Sequence, residues 1–170
     1  MDCTAVDGAA DFLTQEAVAP AYRIHRAMEG YRPTPLVRLD GLAEALGVKA
    51  VFVKDESRRF GLNAFKALGG SYAMARCLGQ RLGWPEEKLT FEALMAPEVR
   101  EKLGELTFVT ATDGNHGRGV AWAAHKLGQK AVVHMPKGSS QARYENIAKE
   151  GAQVTIEEVN YDDCVRMAAA

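Results

Sequence analysis

The run LTFVTATDGNHGRGVAWAAHKLGQKAVVHMP, Leu106 to Pro136, decides the fold. Leu106–Thr110 is short, β-branched and aromatic, and reads as a strand. Asn115–Leu127 is rich in alanine and reads as a helix, and Lys130–Met135 reads as a second strand. The same rhythm continues outward, with a helix predicted over Ser140–Lys149, a strand over Gln153–Val159 and a helix from Asp162 onward. Strands that alternate with helices specify an α/β fold, a parallel sheet flanked by helices. Such sheets hold ligands beyond the carboxyl ends of their strands. The polar run Thr112-Asp113-Gly114-Asn115-His116 falls at one such end.

Upstream, Ala50–Lys54 reads as a further buried strand, which would put Asp55 at a second strand end. Before it, Tyr31-Arg32-Pro33-Thr34-Pro35-Leu36 must be extended, because each proline biases its predecessor away from helix. Leu39, Leu42, Ala43 and Leu46 follow helical spacing, and Gly47 supplies a stop. After a polar connection, Asn63 is the expected N-cap of a helix from Ala64 to about Leu78. Gly69 and Gly70 inside that helix each cost about 1 kcal/mol against alanine, which points to close approach by another backbone or a ligand. Gly83–Glu105 reads as a surface excursion, with short helices starting at Trp84-Pro85-Glu86-Glu87 and Ala96-Pro97-Glu98. Residues 1–30 read as an arm, with a helix from about Thr14 and scattered apolar anchors at Phe12, Ala17, Tyr22 and Met28.

Charge and composition exclude several classes. Lys and Arg number 21 and Asp and Glu 22, so no basic field draws nucleic acid or anionic membrane. Apolar runs such as Ala131-Val132-Val133 are too short to span a bilayer. Cys3, Cys77 and Cys164 fit neither a disulfide framework nor a zinc spacing, and the start shows no secretory signal. A cytoplasmic setting is expected. His25, His116, His125 and His134 form no metal-binding pattern, so no metal is expected. Neither a nucleophile elbow nor a phosphate-loop lysine motif is present.

Two constellations carry chemistry. Asn63-Ala64-Phe65-Lys66 puts a lysine at the start of a helix, where the dipole favours anions and a cation needs a reason. A neutral amine there can condense with an aldehyde. Alone, the bland reading of a solvated lysine outweighs this one. The second is Thr110 to Gly117, a strand end running into a helix start, where unpaired N–H groups hold anions. Asn115 offers an amide, and Asp113 a carboxylate that can pull a proton or hold an ammonium. The bland reading, N-capping by Asp113 or Asn115, narrowly prevails when the loop is read alone.

Taken together they change the balance. Arg32-Pro33-Thr34-Pro35-Leu36, Val53-Lys54-Asp55-Glu56, Asn63-Ala64-Phe65-Lys66 and Asp113-Gly114-Asn115-His116-Gly117 occur in an order that resembles the fold-type-II pyridoxal-phosphate (PLP) enzymes, the threonine dehydratase and tryptophan synthase β-subunit group. Finer detail resembles the branch of that group acting on 2,3-diaminopropionate. It lies in Lys54–Ser57, Arg59–Lys66, Ala111–Trp122, His134–Ser139 and Asn160–Asp163, and leaves the first thirty residues uncovered. Where dehydratases of the group commonly carry serine before Gly-Asn-His, this chain carries Asp113.

The resemblance implies the N-terminal part, residues 31–170, of a PLP-dependent catalytic fold. It implies Lys66 as the lysine that carries PLP and as base for one substrate enantiomer, with Asp113 as base for the other. Asn115 would bond the cofactor's ring oxygen and Phe65 would pack near its ring. The implied reaction is α,β-elimination of the small amino acid 2,3-diaminopropionate to pyruvate and two ammonia, in a homodimer. A serine or threonine dehydratase is the alternative within the enzyme class, and a non-catalytic PLP-fold binding protein the alternative outside it. The last residues, Met167-Ala168-Ala169-Ala170, carry no helix stop, and no glycine-rich loop for the PLP phosphate is found. The chain is therefore expected to be part of a longer enzyme, binding PLP weakly and inactive alone.

Overall fold

The computed structural model describes residues 12–170. The beginning of the arm, with Cys3, lies outside the described residues. Helix α1 (Gln15–Ala27) starts where Thr14 Oγ1 accepts the Ala17 N–H, and its buried Ile24 joins the core. Strand β1 (Leu36–Arg38) follows the extended prolines, then helix α2 (Asp40–Leu46), closed by Gly47 in the left-handed region. Strand β2 (Phe52–Lys54) leads through a 3₁₀ turn at Arg59–Gly61 to helix α3 (Lys66–Leu82). The excursion holds a 3₁₀ turn at Glu86–Lys88 and two short helices, α4 (Phe91–Met95) and α5 (Pro97–Leu103). Then come β3 (Thr107–Ala111), α6 (Asn115–Lys126), β4 (Lys130–Met135), α7 (Gln141–Ala148), β5 (Gln153–Ile156) and α8 (Tyr161–Ala169).

The predicted parallel sheet forms in the order β3-β4-β5, with Val109 opposite Val132 and Val133 opposite Val154. Helix α6 packs on β3 and β4 with one side and on α3 with the other. Leu78, Ala75 and Met74 from α3 meet Val120, Ala123 and Ala124 from α6 and its C-cap Leu127 in one core with Val133 and Met135. Helix α8 lies along β3 and β4.

Three expectations are corrected. The stretch at β2 is neither buried nor part of the parallel sheet. It pairs antiparallel with β1, Val37 opposite Val53, and both strands are exposed along their length. Two three-residue strands form a ribbon whose apolar residues no further layer covers, so Asp55 ends a hairpin-like ribbon instead of a sheet strand. Asn63 is not an N-cap. It sits at φ 57°, a left-handed turn that asparagine tolerates, and the helix begins three residues later at Lys66. Gly69 faces open space, and a Cβ on Gly70 would meet only ordinary contacts. The close approach comes from the other helix: a Cβ on Gly119 would lie 2.9 Å from the Ala67 nitrogen and 3.0 Å from the Lys66 carbonyl carbon.

Arg59, 5% exposed, ties the extended segment to the core. Its guanidinium donates to both Glu56 carboxylate oxygens at 2.7 and 3.0 Å, to the Arg32 carbonyl at 2.8 Å and to Thr34 Oγ1 at 3.2 Å. It lies over the Tyr31 ring, and the neighbouring Phe60 stacks on Trp122 at 4.8 Å. Hydrogen bonds from Arg59 hold the Glu56 carboxyl below its ordinary range.

Candidate active site

Lys66 opens α3, and its first-turn backbone rests on Gly119 of α6. Because that contact is backbone on backbone, the start of α3 is fixed against the helix that carries the second constellation. The Lys66 ammonium nitrogen stands 5.2 Å from the Phe65 ring centroid.

The second constellation is built from below by Thr112, 2% exposed. Its N–H donates to the His134 carbonyl at 3.0 Å, which extends the β3–β4 ladder by one residue. Its Oγ1 accepts the Gly114 N–H at 3.0 Å and the Gly117 N–H at 3.1 Å. One hydroxyl thus satisfies two donors at the head of α6. No side chain caps α6 from the N-cap position, which Gly114 holds, so the capping reading of Asp113 and Asn115 is overturned. Gly117 is required here: a Cβ would lie 2.2 Å from Thr112 Cγ2 and 2.9 Å from Val133 Cγ1. Of the glycines in Gly-Asn-His-Gly-Arg-Gly, Gly117 and Gly119 are required by close packing, whereas a Cβ on Gly114 would meet only ordinary contacts.

These pieces bring Lys66, Asp113 and Asn115 to a single cleft of about 530 Å³. Thr112, Gly114, His116, Arg143 and Tyr161 complete its lining. Phe65 does not line the cleft; it is 55% exposed and touches the site through Lys66. Partial burial, reinforced by the Lys66 charge, lowers the His116 pKa below its ordinary value and favours a neutral imidazole. Arg143 reaches across from α7. Its Nη1 donates to the Asp113 carbonyl at 3.1 Å and lies 3.6 Å from the Asp113 carboxylate.

A larger cavity of about 790 Å³ lies at Arg32, Thr34, Arg59, Phe60 and Trp122, and none of the predicted site residues lines it. His134, part of no predicted metal pattern, bonds Glu157 at 2.8 Å through Nδ1. Among the described residues no group of three metal-ligating side chains converges, and no helix is long and apolar enough to cross a membrane.

Sequence reasoning assigned no role to Thr112, His116, Arg143 or Tyr161. A threonine two residues before one glycine and five before another was the available signal for Thr112. Arg143 and Tyr161 sit on α7 and α8, thirty and more residues from Asp113, and only the tertiary fold brings them there.

Similarity to known proteins follows the same residues. A family model described as pyridoxal-phosphate dependent enzyme matches residues 27–170. The diaminopropionate ammonia-lyase of Salmonella typhimurium is 56% identical over 144 residues, which cover 85% of this chain and 36% of that protein. The Escherichia coli diaminopropionate ammonia-lyase is 52% identical over 156 residues, covering 91% and 38%. The crystal structure of the Escherichia coli enzyme in complex with D-serine superposes with a TM-score of 0.83 at 51% identity, covering 92% of this chain and 39% of that one. The chain thus spans well under half the length of the relatives it matches.

Proposed function

The chain belongs to the pyridoxal-phosphate dependent enzyme family, and from that premise we propose that it supplies the lysine and aspartate of a diaminopropionate ammonia-lyase. The reaction joins 2,3-diaminopropionate and one water to give pyruvate and two ammonia. The observation that carries this reading is the convergence of Lys66, Asp113 and Asn115 on one cleft.

The donor set fits the cofactor. A primary amine at a helix start suits an aldehyde, and the Asn115 amide suits a ring oxygen. Lys66 would hold the cofactor and Asn115 would bond its ring, while Phe65, outside the cleft, would act only through its contact with Lys66. When bound, PLP supplies the electron sink that stabilises a carbanion at the substrate α-carbon. The chain's own residues supply the rest. Lys66 takes the α-proton from one enantiomer and Asp113 takes it from the other. The Asp113 carboxylate also attracts the second ammonium of the substrate, which distinguishes diaminopropionate from serine. The family resemblance makes a homodimer the expected assembly, and the scattered cysteines make a cytoplasmic setting the expected one.

Product stoichiometry tests the reading. With the chain in its full-length, PLP-loaded form, the expected yield is two ammonia per pyruvate from diaminopropionate, with serine a poorer substrate by kcat/KM. Faster turnover of serine, with one ammonia per pyruvate, would assign a dehydratase instead.

A further inference from the structure

We infer that Arg143 is a positioning residue that aims the Asp113 carboxylate into the cleft and thereby sets which substrate enantiomer is turned over. The inference rests on the proposed role of Asp113. Its own footing is the peptide unit between Asp113 and Gly114, which is held at both ends. The Gly114 N–H donates to buried Thr112 Oγ1 at 3.0 Å, and the Asp113 carbonyl accepts from Arg143 Nη1 at 3.1 Å. The same Nη1 stands 3.6 Å from Asp113 Oδ2. One guanidinium therefore addresses the backbone and the side chain of one residue. The Arg143 stem lies over Gly114, 3.7 Å from where a Cβ would be, so the side chain is laid along the loop.

Stability does not explain the arrangement. The Asp113 and Arg143 side chains are 72% and 57% exposed, and exposed ion pairs contribute little. What the contact fixes is direction. Among the described residues Asp113 has no other cation bridged to it, and Arg143 is the side chain from which its carbonyl accepts a hydrogen bond. One nitrogen, Nη1, addresses both acceptors, and a lysine ammonium at that place can serve them only as a point charge on a shorter, more flexible stem. Arg143 reaches the loop from α7, which begins independently of α6: Ser140 caps it, accepting the Arg143 N–H at 3.4 Å. The orientation of Asp113 thus depends on how α7 is seated beside α6.

Enantiomer-resolved kinetics of the full-length, PLP-loaded protein test this, using D- and L-diaminopropionate as probes. Arg143→Met is expected to lower kcat for the enantiomer that depends on Asp113 by roughly 10- to 100-fold, the scale of a misplaced catalytic group. The other enantiomer should change less than about threefold. Arg143→Lys should restore part of the loss, and in an Asp113→Asn background Arg143→Met should add nothing. Amide exchange in the cofactor-free chain gives an independent readout, in which Arg143→Met should speed exchange at Gly114. Equal losses for both enantiomers, or losses that add to those of Asp113→Asn, would overturn the positioning role. An Asp113→Asn variant with undiminished turnover of both enantiomers would instead overturn the role of Asp113 itself, and with it this inference.

Discussion

Thr112 does the work that the sequence appeared to assign to Asp113 and Asn115. Its hydroxyl is buried and accepts two backbone N–H groups, so its loss strands two donors at the head of α6. Thr112→Val is expected to destabilise the fold by about 1–3 kcal/mol, because buried donors are costly to leave unmet. Thr112→Ser keeps the oxygen and should lose much less. Urea denaturation of the two variants makes the comparison, and a Thr112→Val variant as stable as the parent chain would contradict the role of the oxygen. At this scale the sequence was informative about residue type and ambiguous about direction. Asp, Asn and Thr all cap helices, and the burial of Thr112 is what selects it. Asn63 was misread for a related reason: asparagine suits both an N-cap and a left-handed turn, and the chain uses it for the turn.

The element that places Lys66 is the α3–α6 pair. Gly119 lets the first turn of α3 rest on α6 backbone to backbone, and a methyl group there would be driven into Ala67. Gly119→Ala is expected to cost about 1–3 kcal/mol as overpacking. It should also move Lys66 relative to Asn115, so loss of PLP binding should exceed the loss of stability. Thermal melts and PLP titration of the same variant check this, and unchanged PLP affinity would contradict it. The βαβ rhythm behind these elements was legible, because its periodicity is local. The β1–β2 ribbon was not, since a short apolar run reads the same whether it is covered by other layers or left on an exposed ribbon. Gly119 went unread because the partner that requires it, Ala67, is far away in sequence.

At the scale of the fold, His25, His116 and Glu56 are among the described groups that shape the acid limb of stability. Burial at the α1–α3 contact, with a smaller contribution from Arg59, lowers the His25 pKa despite its bond to the Leu68 carbonyl at 2.8 Å. The His116 pKa is lowered too, chiefly by partial burial. A histidine whose folded pKa is depressed takes up its proton more readily when unfolded, so its stability is present above the unfolded value of about 6.5 and lost as pH falls through the folded one. Glu56, held low chiefly by hydrogen bonds from Arg59, behaves likewise at lower pH: its contribution is present above about 4.3 and lost as pH falls through its folded value. The denaturation midpoint should therefore fall between pH 7.5 and pH 5, and fall further towards pH 3. His25→Gln should flatten the first part of that decline, and a midpoint unchanged down to pH 5 would contradict the histidine contribution.

The claim on which the site depends is that the amine of Lys66 is the group PLP reaches. Incubation with PLP, borohydride reduction and peptide mapping test it most directly. The expected result is a stable label on the peptide carrying Lys66, lost in Lys66→Ala. A label on another lysine, or a Lys66→Ala variant that labels as well as the parent chain, would contradict it.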